Sequence, residues 1–177
     1  MIEKANILAL GPSVRQFKLN GAYTIGVNDI DKYHQVDCLV IVDHHMNFSL
    51  DRIDTIRATE ANTVISQNDE WSYLPGFIQI ELAPERSNLA YIESDQYVYS
   101  VVSAYVAVIH AYKLGAKEIN MYGVDMGDDY KMGLPTKQQC VKDFYKLREY
   151  FDRVGVRLTV NSHMSLLCGV VPVKITG

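Results

Sequence analysis

The segment DCLVIVD, residues 37–43, is apolar at five consecutive positions between two acids. Neighbouring side chains of a strand point to opposite faces, so an unbroken apolar run has to be buried on both. A mostly parallel sheet covered by helices on each side provides that environment. The rest of the chain repeats the theme. Short apolar runs (NILALG, AYTIGVN, NTVIS, GFIQI, EINMYGVD, VRLTVN) alternate with stretches of helical periodicity. Residues 97–114 are nearly uncharged and close on Lys113 and Gly115, which predicts a buried helix with a glycine stop. LPTKQQCVKDFYKLREYFDRVG predicts an amphipathic helix, with Pro135 near its start and Gly155 past its end. A shorter helix is expected over 50–59. Residues 68–96, which include Trp71, Pro75, Gly76 and Pro84, read as a loop-rich insertion with a single strand. The expected fold is therefore Rossmann-like α/β: a mostly parallel sheet flanked by helices on both faces, forming one domain over residues 1–177.

Composition narrows the function classes. The formal net charge is −4 and no Lys/Arg run occurs, which argues against a dedicated duplex-binding surface. With a negative net charge and no basic run, the twelve tyrosines do not indicate a base-stacking platform either. The three cysteines, Cys38, Cys140 and Cys168, are odd in number and lack metal-pair spacing. No run is long enough to span a membrane, and a cytoplasmic protein is expected.

Ligands of open α/β sheets collect outside the carboxyl ends of the strands. Four polar signals fall at such ends: Gly11-Pro12-Ser13, Asn28, Asp43-His44-His45 and Asp125. Each alone has an ordinary explanation in turn chemistry or capping. Their recurrence at successive strand ends points to a binding cleft. Asp-His-His after an apolar strand also occurs in the DHH phosphoesterases. Two-metal chemistry needs further acids upstream, and Asp29, Asp31, Asp37 and His34 precede it here without a metal-ligand pattern, with Asp29 and Asp31 expected to be solvated. No metal or other cofactor is expected. His110, Tyr105 and Tyr112 lie on the buried helix and are expected to be packing residues.

Taken along the whole chain, GPSV after the first strand, GVNDIDKY after the second, SAYVAVIHAYKLGAKEINMYGVDM and the closing MSLLCGVVPV resemble the bacterial family 42 sialyltransferases. The outline is also similar to the related motility-associated flagellin glycosyltransferases and hydroxymethylpterin diphosphokinase-like proteins. The resemblance is densest over residues 103–125. It implies a nucleotide-sugar cleft in which Gly11, Pro12 and Ser13 let the backbone approach the donor phosphate. Asn28 and Ser103 would contact the donor, Asp43 would stand at a polar donor-binding position, and Asp125 would match the strand-end acid.

The departures from that family are specific. Leu10 replaces an asparagine, and Ser103-Ala104 replaces Ser-Gly. Of two tyrosines that support the departing phosphate, only Tyr130 has a counterpart. The family's catalytic lid, with its histidine base, is missing. His44 and His163 follow strand ends and are the candidates to replace that base, together with Asp43. The resemblance thus implies a metal-independent transfer of a sugar from a cytidine or other nucleotide donor to a hydroxyl acceptor. A non-catalytic nucleotide-binding protein and a metal-dependent diphosphate transferase are the alternatives. A lidless chain also leaves room for a homo-oligomer whose neighbouring subunit completes the site.

Overall fold

The structure is a computed structural model that describes residues 1–126 and 133–175. Seven strands build one sheet: β1 (Lys4–Leu8), β2 (Tyr23–Val27), β3 (Cys38–Val40), β4 (Thr63–Ser66), β5 (Phe77–Gln79), β6 (Glu118–Tyr122) and β7 (Arg157–Val160). Their order is β5-β4-β3-β2-β1-β6-β7 and every pairing is parallel. Three helices accompany it: α1 (Leu50–Arg57), α2 (Ser103–Lys113) and α3 (Leu134–Val154). The chain steps outward from β1 to β5, then crosses back through α2 to set β6 on β1's other side. The strand order therefore reverses between β1 and β6, the place where such sheets bind ligands.

The period-two alternation of the strands divides the core in two. Ala5, Ile7, Ile25, Val27, Cys38, Val40, Ile119 and Met121 face α2 and α3. Leu8, Leu39, Ile41, Val64 and Tyr122 face α1, with Phe48 and Trp71 beside it. Consecutive residues of β3 thus belong to different cores, which is why the 37–43 run is unbroken. α2 lies over the sheet centre, buried at every position from Ala104 to Ala111. α3 ends at Gly155, whose φ of 74° is the left-handed stop expected of a glycine past a helix end.

The buried helix begins later than the sequence predicts. Residues 97–102 precede α2, because the insertion claims their backbone: Tyr97 N–H donates to Glu81 O at 2.8 Å, and Tyr97 O and Tyr99 O accept from Ala83 and Ser87 at 2.9 and 2.8 Å. The aromatic and β-branched run YVYSVV suits that extended path. No helix among the described residues is long and apolar enough to cross a membrane.

Candidate functional site

The switch point is closed by an interlock between the ends of β1 and β6. Gly11 N–H donates to Gly123 O at 2.8 Å. A Cβ on Gly11 would stand 2.5 Å from that oxygen and 2.6 Å from Asp125 Oδ2, so only glycine fits. Pro12 then opens a short 3₁₀ turn, Pro12–Gln16, whose missing N–H costs nothing at a first helical position. Ser13, buried, gives Asp125 both its donors: N–H to Oδ2 at 2.7 Å and Oγ–H to Oδ1 at 2.6 Å. Its Oγ also accepts from Gly123 N–H at 2.8 Å. The donors expected to meet a phosphate at this turn are thus occupied by a carboxylate of the chain itself.

Beside the interlock lies a narrow cleft of about 30 Å³, room for about two waters. Ala9 and Leu10 just after β1, Asn28 just after β2, Ser103 and Ala104 at the start of α2, and Asp125 and Met126 beyond β6 line it. Four elements remote in sequence thus bring together Asn28, Ser103 and Asp125. Ser103 is the first residue of α2, whose N-cap, Val102, supplies no side-chain cap. The unpaired N–H groups of a helix start, with the dipole behind them, favour an anion.

Asn28 is unusual in two ways. Its φ is 56°, the left-handed region that asparagine tolerates better than most residues. Its Oδ1 is sealed from solvent and has no hydrogen-bond partner among the described residues. A buried acceptor left alone costs about 1–3 kcal/mol. Strain and an unmet acceptor in one cleft-lining residue are the pattern expected where a ligand completes the structure.

The other expected residues lie apart from this cleft. Asp43 is exposed, and its backbone oxygen accepts from Trp71 Nε1 at 3.2 Å. His45 Nδ1 is hydrogen-bonded to Glu70, whose other oxygen accepts the His45 N–H at 2.5 Å and lies 3.4 Å from His44 Nδ1. These contacts hold Glu70 below the usual carboxylate range, against a desolvation cost in the opposite direction. His163 is exposed beyond β7, in a segment fastened to the cleft wall: Ser165 Oγ donates to Val124 O at 2.7 Å and Leu166 N–H to Asp125 O at 3.1 Å. Tyr130 lies outside the described residues. Among those described, no three His, Cys, Asp or Glu side chains gather as a metal site.

Sequence reasoning places Asp29 in solvent, but it is buried and ion-paired to Arg52. Asp31 is half-buried and bonded to Thr59, and desolvation raises its carboxyl above the ordinary range. His110 is a core residue as expected. Its Nδ1 is 2.9 Å from Tyr97 OH, and burial, with Lys113 nearby, lowers its pKa to about 4. The sequence gives little notice of Gly123, although a glycine directly after an apolar strand marks a close approach. At φ 72°, a Cβ there would stand 2.1 Å from Ala9 O.

A larger depression, about 680 Å³, lies at the opposite, amino end of the strands. There Glu118 pairs with Lys174, with Arg157 at 2.7 Å and with Lys4 at 3.7 Å. The depression's three nearby cations are gathered on Glu118, and it lies at the end of the sheet away from the strand-order reversal. The carboxyl-end cleft is the better candidate.

No protein-family model matches the chain, and no curated protein matches it in sequence. Solved structures do match in shape. The sialyltransferase CstII from Campylobacter jejuni, in complex with cytidine-5′-monophosphate, superposes with a TM-score of 0.62 at 14% identity, covering 97% of this chain and 84% of that one. Its complex with a trisaccharide acceptor and CMP gives 0.59 at 16% identity, covering 97% and 86%. The monofunctional α-2,3-sialyltransferase Cst-I from the same organism gives 0.60 at 14% identity, covering 98% and 81%. The fold is that of these sialyltransferases. Nearly the whole chain shares it.

Proposed function

We propose that this chain is a metal-independent, glycosyltransferase-like protein that binds a nucleotide sugar and transfers the sugar to a hydroxyl acceptor. The observation that carries the reading is the convergence of Asn28 Oδ1, without a partner among the described residues, Ser103 at the start of α2, which has no side-chain cap, and Asp125 at the strand-order reversal. The fold shared with sialyltransferases crystallised with CMP supports it. The donor's phosphate sits against the start of α2 and Ser103, not on the Ser13 turn, where Asp125 already holds the donors. Gly11, Pro12 and Ser13 shape the wall. Asn28 accepts a hydrogen bond from an N–H or O–H of the donor. His163, on the segment tied to Val124 and Asp125, is the proposed base that takes the acceptor hydroxyl's proton; Asp43 and His44 are less suited, because among the described residues no such bond ties them to the cleft wall and His44 lies beside Glu70.

A second reading, a nucleotide-binding protein without turnover, is favoured by one observation: among the described residues no histidine lines the cleft. Thermal stability with CMP, CDP, UMP, UDP, GDP, ATP and CMP-sialic acid, with and without magnesium or manganese, tests the binding claim. A ligand at a hundred times its Kd adds about 2.7 kcal/mol of stability. A metal-independent shift with a cytidine or uridine nucleotide supports the cleft, and no shift with any of them removes the nucleotide reading. CMP-sialic acid hydrolysis by wild type and His163→Asn then separates transferase from binder.

A further inference from the structure

Asn28 and Asp29 leave β2 in opposite directions. Asn28 borders the cleft beside Val102 and Ser103, at the start of the helix that covers one face of the sheet. Asp29, 7% exposed, turns towards α1 on the other face. There Arg52 donates to Asp29 Oδ1 twice, from Nε at 2.9 Å and Nη2 at 2.5 Å. The guanidinium also lies over the Phe48 ring, 4.6 Å from its centroid, and Phe48 packs edge-on against the fully buried Trp71.

In dinucleotide-binding folds an acid near this position meets a ribose hydroxyl. Here that carboxylate is held by Arg52 on the far side of the strand and does not line the cleft. It has another task. Asn28 must be kept left-handed with an unmet acceptor, two costs the turn would shed if it could relax. On one side Asn28 N–H is bound to Val40 O at 3.1 Å. On the other, Ile30 packs where a Cβ on Gly26 would stand, 2.2 Å from Ile30 Cγ2, which folds the turn tightly onto its own strand. Asp29 sits between these anchors and is fixed by Arg52.

We propose that Arg52 and Asp29 are a positioning pair: they lock the turn after β2 so that Asn28 is held at the cleft wall with its Oδ1 left free to accept from a ligand. The inference rests on the nucleotide reading for its consequence, but its structural half can be measured alone. Two measurements test it. The first is the Kd for CMP, by calorimetry, of wild type, Arg52→Ala, Arg52→Lys, Asn28→Gly and the Arg52→Ala/Asn28→Gly double variant. Expected are losses of at least about tenfold for Arg52→Ala and Asn28→Gly, a smaller loss for Arg52→Lys, and no further loss in the double variant, because both changes remove one contact. Losses that multiply, or an unchanged Kd in folded Arg52→Ala, overturn the proposal.

The second measurement is the Asn28 side-chain amide resonance in NMR spectra without ligand, assigned by its disappearance in Asn28→Gly. It should move in Arg52→Ala and in the near-isosteric Asp29→Asn, and stay close to its wild-type position in Arg52→Lys. Asp29→Asn provides the measurement if Arg52→Ala does not fold. Should wild type bind no CMP, the nucleotide reading fails while the resonance still decides the pair's role. A resonance that stays in place in both variants overturns it.

Discussion

Replacing Ser13 with alanine removes a single hydroxyl that makes two of the bonds closing β1 onto β6. The Oγ–H to Asp125 bond is charge-assisted and buried, a class that contributes about 1.5–3 kcal/mol. The same oxygen accepts the Gly123 N–H, and leaving that buried donor unmet costs a further ~1–3 kcal/mol. The Ser13 N–H to Asp125 remains, and the site relaxes in part, so a net loss of about 3 kcal/mol is expected. For a chain of 177 residues that lowers Tm by about 6–12 °C. Urea unfolding of wild type and Ser13→Ala should show a lower midpoint at unchanged slope, the signature of lost stability rather than an altered denatured state. CMP affinity, measured well below the transition, should change by less than about threefold. A stability loss under about 1 kcal/mol, with affinity down tenfold or more, would refute the reasoning. It would mean that the hydroxyl serves a ligand and that Asp125 leaves it on binding.

Asn28→Gly should bind CMP at least about tenfold more weakly, yet unfold at equal or slightly higher urea, by up to ~1 kcal/mol, because glycine suits φ 56° and brings no unmet oxygen. Calorimetry and urea unfolding on one preparation check both halves. Glu118 has its pKa depressed from 4.5 to about 2, first by Lys174 and then by Arg157. Its contribution is complete above pH 4.5 and lost as pH falls through about 2, so unfolding curves of wild type and Glu118→Gln should differ at pH 7 and converge in acid. His110 acts in the same sense over a higher pH window. With the folded pKa lowered from 6.5 to about 4, the unfolded chain binds the extra proton between those values. Stability should fall by as much as about 3 kcal/mol as pH drops from 6.5 to 4, and His110→Asn should flatten that slope in urea titrations.

What the sequence reveals of this fold is what local pattern encodes. All seven strands stand where apolar runs stand, and α1 and α3 fall within two residues of their patterns. α2 starts late because Tyr97 and Tyr99, in its first expected turn, are held by Glu81, Ala83 and Ser87, in the stretch whose pattern is weakest. The site divides in the same manner. Asn28, Ser103 and Asp125 are visible as polar residues at strand ends or a helix start. That Asp125 would take both donors of Ser13 is not visible, since the two are 112 residues apart. Nor is the diversion of His44 and His45, whose partner Glu70 lies in the 68–96 insertion. Asp29 misleads for the same reason: an acid at a turn looks solvated until the arginine that neutralises it is known.

The reversal of strand order also dictates how the protein can be made. β1 has its first neighbour, β2, early, but its other edge stays bare until β6 has been synthesised. At about 5–20 residues per second, a ribosome needs roughly 6–22 s to deliver Asp125 after Ser13. During that interval β2 to β5 are added on one side of β1 while its other edge stays open, a template for mispairing with other chains. The β1–β6 closure, which α3 and β7 follow, is the step that creates the cleft, so a chain arrested before β6 has neither a protected sheet nor a ligand site.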